Sequence, residues 1–175
     1  VRPSNAAWGV LTSGSTGTPK GVVLQHGTLA TSSYFHSQRF GLQPGARLLQ
    51  FAAFTFDATI YDIMAPLSFG GCTCIPSEHD RMNRLATFIS EANVTLAFLT
   101  PAVVSLLQPK DVPTIKTLLV GGEIFTSKTI DQWIEHADVK EVYGPTECSI
   151  YSTCNNLLDS SQVRNIGKAV AARTW

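Results

Sequence analysis

The chain has 175 residues, and its thirteen basic and thirteen acidic side chains cancel to a formal net charge of zero. That balance removes the electrostatic case for nucleic acid or an anionic membrane as partner, and no apolar run approaches the length of a membrane span. A chain of this size can bury roughly 70% of its unfolded surface around a single core. No charged-then-apolar leader opens it. Four cysteines, Cys72, Cys74, Cys148 and Cys154, show no metal-ligand spacing. They read as reduced thiols, which fits a cytoplasmic protein.

In chain order, residues 6–11 and 22–24 are apolar and predict two strands. Between them runs Leu11-Thr12-Ser13-Gly14-Ser15-Thr16-Gly17-Thr18-Pro19-Lys20-Gly21. Glycines let a backbone approach an anion and turn its N–H groups toward it. Hydroxyls add donors, and Lys20 adds a mobile charge that phosphate oxygens favour. The stretch reads as a phosphate-holding loop between two strands; the alternative is a flexible Ser/Gly surface loop. It is not a Walker A loop, because Pro19 precedes the lysine and Gly21 stands where a Mg²⁺-binding Ser or Thr is required.

A helix is predicted from about His26 to Gln38 with Thr28 as N-cap. A strand over 47–53 follows, then Phe54-Thr55-Phe56-Asp57 and a helix over about 58–67. Gly70-Gly71 breaks the chain before a strand over 72–75, in which Cys72 and Cys74 share a face. Asp80 is placed to cap a helix reaching about Ala92. Strands over 94–99, 116–120 and 139–143 alternate with helices that open at Pro101 and Ser127. This alternation implies right-handed crossovers and a parallel sheet. The predicted class is α/β, with parallel or mixed sheets flanked by helices.

Ligands of such sheets gather beyond the carboxyl ends of the strands. Thr100-Pro101, Gly121-Gly122-Glu123 and Gly144-Pro145-Thr146-Glu147 fall there. Tyr143 offers a flat face for a nucleobase, Thr146 a donor for phosphate, and Glu147 a hard oxygen for Mg²⁺. A structural Tyr beside a Gly-Pro turn with a solvated acid is the plainer alternative. The histidines His26, His36, His79 and His136 have no triad-like partner, although His26 follows the loop directly. Ser15 lacks nucleophile-elbow spacing, and Cys148, Trp8 and Trp133 read as packing residues.

Together the 11–21 stretch, Tyr143-Gly144-Pro145-Thr146-Glu147, Gly121-Gly122-Glu123 and Asn165-Ile166-Gly167-Lys168 resemble the adenylate-forming enzymes, the superfamily of acyl-CoA synthetases, luciferases and peptide-synthetase adenylation domains. Phe56-Asp57-Ala58-Thr59, Pro76-Ser77-Glu78 and Ile166-Gly167-Lys168 narrow the likeness to adenylation domains of nonribosomal peptide synthetases, with a fungal flavour. The resemblance implies part of the large N-terminal subdomain of that fold. It implies ATP-dependent formation of an acyl-adenylate with loss of pyrophosphate, then transfer to a phosphopantetheine thiol on a carrier domain. Carrier and condensation domains of the same synthetase are the implied partners. Such chemistry rests on positioning and charge neutralisation.

By that likeness Thr12, Ser13, Gly14, Ser15, Thr16, Gly17 and Lys20 hold the β- and γ-phosphates. Gly122, Glu123 and Tyr143 frame the adenine, Thr146 touches the α-phosphate, and Glu147 holds Mg²⁺. Lys20, Thr146 and Glu147 are the implied catalytic set. Asp57 separates subfamilies, since the ammonium of a free amino acid needs a partner once desolvated; a helix N-cap is its plainer role. The remaining pocket positions are Ala58, Tyr61, Phe98, Leu119, Gly121, Val142, Ile150 and Tyr151. Apart from tyrosine hydroxyls they are apolar, so an apolar amino acid is expected, foremost a branched aliphatic one.

The chain starts at Val1 and stops at Trp175 without a terminating signal, and so reads as a piece of a longer protein. Residues 1–175 are expected to be a partial adenylation domain. The likeness puts the ribose-binding Asp, a hinge and a C-terminal subdomain with a carboxylate-gripping Lys outside it. An acyl-CoA-ligase or carboxylic-acid-reductase relative and a nucleotide-binding module without catalysis are the competing readings.

Overall fold

Two sheets organise the chain in the computed structural model, which describes residues 1–13, 17–124, 126–162 and 165–170. The first is a hairpin of β1 (Ala6–Thr12) and β2 (Lys20–Gln25), antiparallel, with Thr12 opposite Lys20. The glycine- and hydroxyl-rich stretch is therefore the connection between two paired strands, as expected. Gly14, Ser15 and Thr16 lie outside the described residues. Gly17, at φ 80°, takes a conformation that favours glycine.

Helix α1 (His26–Phe40) starts before the predicted Thr28 cap. The reason lies in the N-terminal segment. The His26 amide donates to Asn5 O (3.1 Å) and the Gly27 amide to Pro3 O (2.8 Å), so the first turn's free donors are met by backbone. Thr28 sits inside that turn.

The second sheet has seven strands: β3 (Arg47–Leu49), β4 (Cys72–Cys74), β5 (Leu96–Leu99), β6 (Thr117–Val120), β7 (Asp138–Tyr143), β8 (Thr153–Asn156) and β9 (Lys168–Ala169). Their order is β4-β3-β5-β6-β7-β8-β9. The first five are parallel, and β8 and β9 run antiparallel to their neighbours. Between them lie α2 (Ala58–Ser68), α3 (Glu78–Asn83), α4 (Leu85–Glu91), α5 (Pro101–Val104) and α6 (Ser127–Trp133). The mixed α/β class is as expected.

Side chains of each parallel strand alternate between two cores. Leu49, Ala97, Leu99, Leu118, Val120 and Val139 point to one side, where Ile89, Val104, Ile130 and Trp133 of the helices cover them. Leu48, Leu96, Leu119 and Val142 point to the other, beneath Phe40, Ile60, Tyr61 and Ala65 of α1 and α2 and beside Val10 and Leu24 of the hairpin.

Four further expectations differ. The strand expected over 47–53 ends at Leu49, and the chain turns away after Gln50. Asp80 is not an N-cap: Ser77 caps α3, accepting from the Asp80 amide at 3.1 Å and donating to its carboxylate at 2.7 Å. The single helix to Ala92 is broken at Arg84, whose φ of −139° is not helical. Cys148 is exposed, not packed. Cys72 and Cys74 share a face as expected, Sγ to Sγ 3.9 Å.

Candidate functional site

A cavity of about 1230 Å³ opens at the carboxyl ends of β5, β6 and β7, where a sheet of this winding gathers its ligands. Each of its walls follows from a chain turn. The β3-to-α2 loop supplies Phe51, Ala52, Ala53, Phe56 and Asp57; the end of β5 supplies Phe98 and Thr100; the end of β6 supplies Gly121, Gly122 and Glu123. The β7-to-β8 reversal supplies Val142, Tyr143, Gly144, Ile150 and Tyr151.

Asp57 stands at the start of α2, makes no side-chain cap and lines the cavity. Burial pushes its pKa up. The Thr146 hydroxyl and the Ala58 backbone oppose that shift by hydrogen bonding, and nearby Glu147 adds to it. Asp57 and Thr146, 89 positions apart by their numbers, are thus brought close enough for one to influence the other. The 3₁₀ turn Thr146–Cys148 in turn packs against β2, which begins at Lys20. The hairpin, the Thr146 turn and Asp57 therefore meet.

Of the expected pocket positions, Asp57, Ala58, Phe98, Gly121, Val142, Ile150 and Tyr151 line the cavity. Tyr61 and Leu119 do not. They are 2% and 0% exposed and stand one layer behind, in the core. Tyr61 packs edge-on to Tyr151 at 5.5 Å, and Tyr151 lies 5.5 Å from Phe98, so Tyr151 is the wall and Tyr61 its support. His36 backs the same aromatic group and donates to Tyr151 O at 2.6 Å. Burial holds its pKa down to about 4, so it is a neutral core residue.

Gly122, Glu123 and Tyr143 line the same cavity, with Tyr143 half exposed. Gly122 has φ 87°, and the Glu123 carboxylate accepts from the Ala102 amide at 3.4 Å. Ser13, Gly17 and Lys20 are exposed on the hairpin and Thr12 is partly buried. The Thr12 hydroxyl donates to Lys20 O at 3.4 Å, which holds the two ends of the connection together. Glu147 is exposed and offers a hard oxygen. Among the described residues, no group of three or more His, Cys, Asp or Glu side chains gathers as a metal cluster.

Several wall residues were not foreseen. Arg81 reaches the cavity from α3, with its guanidinium 6.0 Å from the centre of the Phe51 ring and 2.8 Å from Glu78. Glu141 lines the wall from β7 with Oε2 buried and unpartnered among the described residues, and burial raises its pKa. Its place beside Val142 and Tyr143 was the only signal available. Arg81 gave none, since α3 is brought to the cavity by tertiary packing.

A family model described as AMP-binding enzyme matches residues 1–174. The chain is 85% identical over its full length to part of nonribosomal peptide synthetase 32 of Fusarium pseudograminearum, and spans about 2% of that protein's length. Among solved structures it is similar to the nonribosomal peptide synthetase FmoA3 in an AMPPNP-bound form, with a TM-score of 0.85 and 25% identity. That match covers 97% of this chain and 19% of the other. It is also similar to the Vibrio cholerae adenylation domain AlmE in complex with glycyl-adenosine-5'-phosphate, with a TM-score of 0.83 and 27% identity, covering 93% of this chain and 32% of the other. The α/β sheet, the converging turns and the match along nearly the whole chain lead to one assignment: the chain belongs to the AMP-binding enzyme family.

Proposed function

We propose that residues 1–175 form part of an adenylation domain that activates an apolar amino acid, foremost leucine, isoleucine or valine, as its aminoacyl-adenylate. The observation that carries this reading is the placement of Asp57 in one cavity with the apolar side chains of Phe98, Val142, Ile150 and Tyr151, although Arg81, Glu123 and Glu141 line the same cavity. A partly buried carboxylate in one cavity with Phe98, Val142, Ile150 and Tyr151 suits an ammonium followed by an aliphatic side chain. The AMPPNP and the glycyl-adenylate named with the two similar structures support nucleotide and aminoacyl-adenylate as the ligand classes.

In this reading the amino-acid carboxylate attacks the α-phosphorus of ATP and pyrophosphate leaves. Thr146 donates to the α-phosphate, and Lys20 with Thr12, Ser13, Gly14, Ser15, Thr16 and Gly17 holds the departing phosphates. Gly122, Glu123 and Tyr143 frame the adenine. The donor set fits Mg²⁺ bound mainly through substrate phosphates, with Glu147 as the protein's hard oxygen; the ion supplies charge neutralisation. The thiol of a phosphopantetheine on a carrier domain of the same synthetase then attacks the aminoacyl carbonyl, and the thioester forms as AMP leaves.

ATP–pyrophosphate exchange by the intact synthetase module across all amino acids tests this. The strongest exchange is expected with leucine, isoleucine or valine. Strongest exchange with aspartate, lysine or glutamine would overturn the substrate class. Exchange driven only by acids without an amine would favour an acyl-CoA-ligase relative, and none at all an inactive nucleotide-binding module.

A further inference from the structure

The loop that carries Asp57 is gripped from behind by polar side chains of the helix it leads into. Gln50, 5% exposed, donates from Nε2 to Thr59 Oγ1 at 3.1 Å and also to Ala52 O. Its own amide donates to Cys74 O at 2.9 Å, which anchors the residue to the neighbouring strand. Thr59 and Asp62 lie three positions apart on α2, so they share a helix face. Both are 0% exposed. Burial raises the pKa of the Asp62 carboxyl, and the Ala52 and Phe51 backbone oppose that rise. Both of its oxygens are buried without a hydrogen-bond partner among the described residues.

A carboxylate wholly withdrawn from water with no cation beside it is costly. Hydrophobic packing alone would place an apolar residue there. The groups Asp62 meets belong to the cavity wall, because Phe51, Ala52, Ala53, Phe56 and Asp57 all follow Gln50 within one short loop. Thr73 adds a tie on the far side, its hydroxyl donating to Asp62 O at 3.2 Å.

We infer that Gln50, Thr59 and Asp62 are positioning residues that latch the loop 51–57 and so hold Asp57 at the distance from the apolar wall that an amino acid requires. None of the three lines the cavity. This inference rests on the proposed amino-acid activation for its kinetic consequence, but not for its structural one.

The test compares Thr59→Val, Thr59→Ser and Asp62→Asn in the intact synthetase module. Thr59→Val keeps the volume and removes the hydroxyl, whereas Thr59→Ser keeps the hydroxyl. In ATP–pyrophosphate exchange, Thr59→Val and Asp62→Asn are expected to raise the amino-acid KM about fivefold or more, with the ATP KM within twofold of the parent. Thr59→Ser restores the parent value. Hydrogen–deuterium exchange of the peptide over 50–57 speeds up in the first two variants, while the strands at 117–120 and 138–143 stay as protected as before.

Unchanged exchange over 50–57 in Thr59→Val overturns the latch, as does a parallel rise in both KM values or a Thr59→Ser variant as impaired as Thr59→Val. If Asp62→Asn does not fold, the two Thr59 variants decide. If the parent activates no amino acid, the proposed function fails, and the deuterium readout still decides the latch.

Discussion

Burial raises the pKa of Asp57 above that of an ordinary carboxyl, while Thr146 and the Ala58 backbone pull it back. An acid shifted in that direction takes up its proton at a higher pH than it would in water. As pH falls through the shifted value, Asp57 becomes neutral and loses its attraction for an ammonium. The amino-acid KM is therefore expected to fall as pH rises through this interval and to level off above it. Asp57→Asn should remove that step and raise the amino-acid KM about 10- to 100-fold, the equivalent of one charged hydrogen bond of roughly 1.5–3 kcal/mol. Pyrophosphate exchange followed against pH checks both; a variant with the parent's KM and profile would show that Asp57 does not meet the amine. Thr146 and Glu147 were singled out from sequence because they follow a predicted strand end, and Asp57 through the family resemblance. Tyr61 and Leu119 were misread as wall. A position's place in a family pattern does not say whether an aromatic neighbour such as Tyr151 stands in front of it.

At the level of elements, the parallel strands were legible from their apolar runs, and the hairpin from the apolar residues around its glycines. Strands β8 and β9 were missed because Thr153-Cys154-Asn155-Asn156 and Lys168-Ala169 are mostly polar. They exist because β7 offers an open edge, and Val142 pairs with Cys154 there. The reversal before β8 needs a glycine at its mouth. A Cβ on Gly144 would collide with Ile150 O, come within 2.7 Å of Ser152 N and within 2.8 Å of Tyr151 Cα. Gly144→Ala is thus expected to cost roughly 1–3 kcal/mol in urea unfolding of the module, as overpacking does. Gly9→Ala, whose Cβ would meet nothing within 4 Å, should stay within about 0.5 kcal/mol of the parent. Equal effects of the two would refute the packing account.

On the scale of the molecule, the outer side of α1 and α2 carries large apolar residues in the open. Tyr34, Phe35, Met64 and Leu67 are 52%, 45%, 49% and 60% exposed, and the Tyr34 ring lies 6.3 Å from Phe69. Apolar surface gathered in this way marks a face that another part of a protein covers. The two similar structures are several times longer than the segment matched here. Residues 1–175 expressed alone are therefore expected to bind a dye such as ANS, to unfold with low cooperativity and to show no measurable pyrophosphate exchange. A sharp two-state transition together with exchange activity would contradict this. The reversal between β7 and β8 also bears on how such proteins change what they accept. Thr146, Glu147, Ile150 and Tyr151 hang on one short backbone stretch, kinked by positive φ at Ser149 (63°) and Ile150 (82°), an arrangement that costs energy for a β-branched residue. Under the proposed activation, this shared backbone would couple selectivity to turnover. A single replacement at position 150 is then expected to disturb the arm that carries Thr146, and a new preference to travel intact only when the whole bend is exchanged as a block.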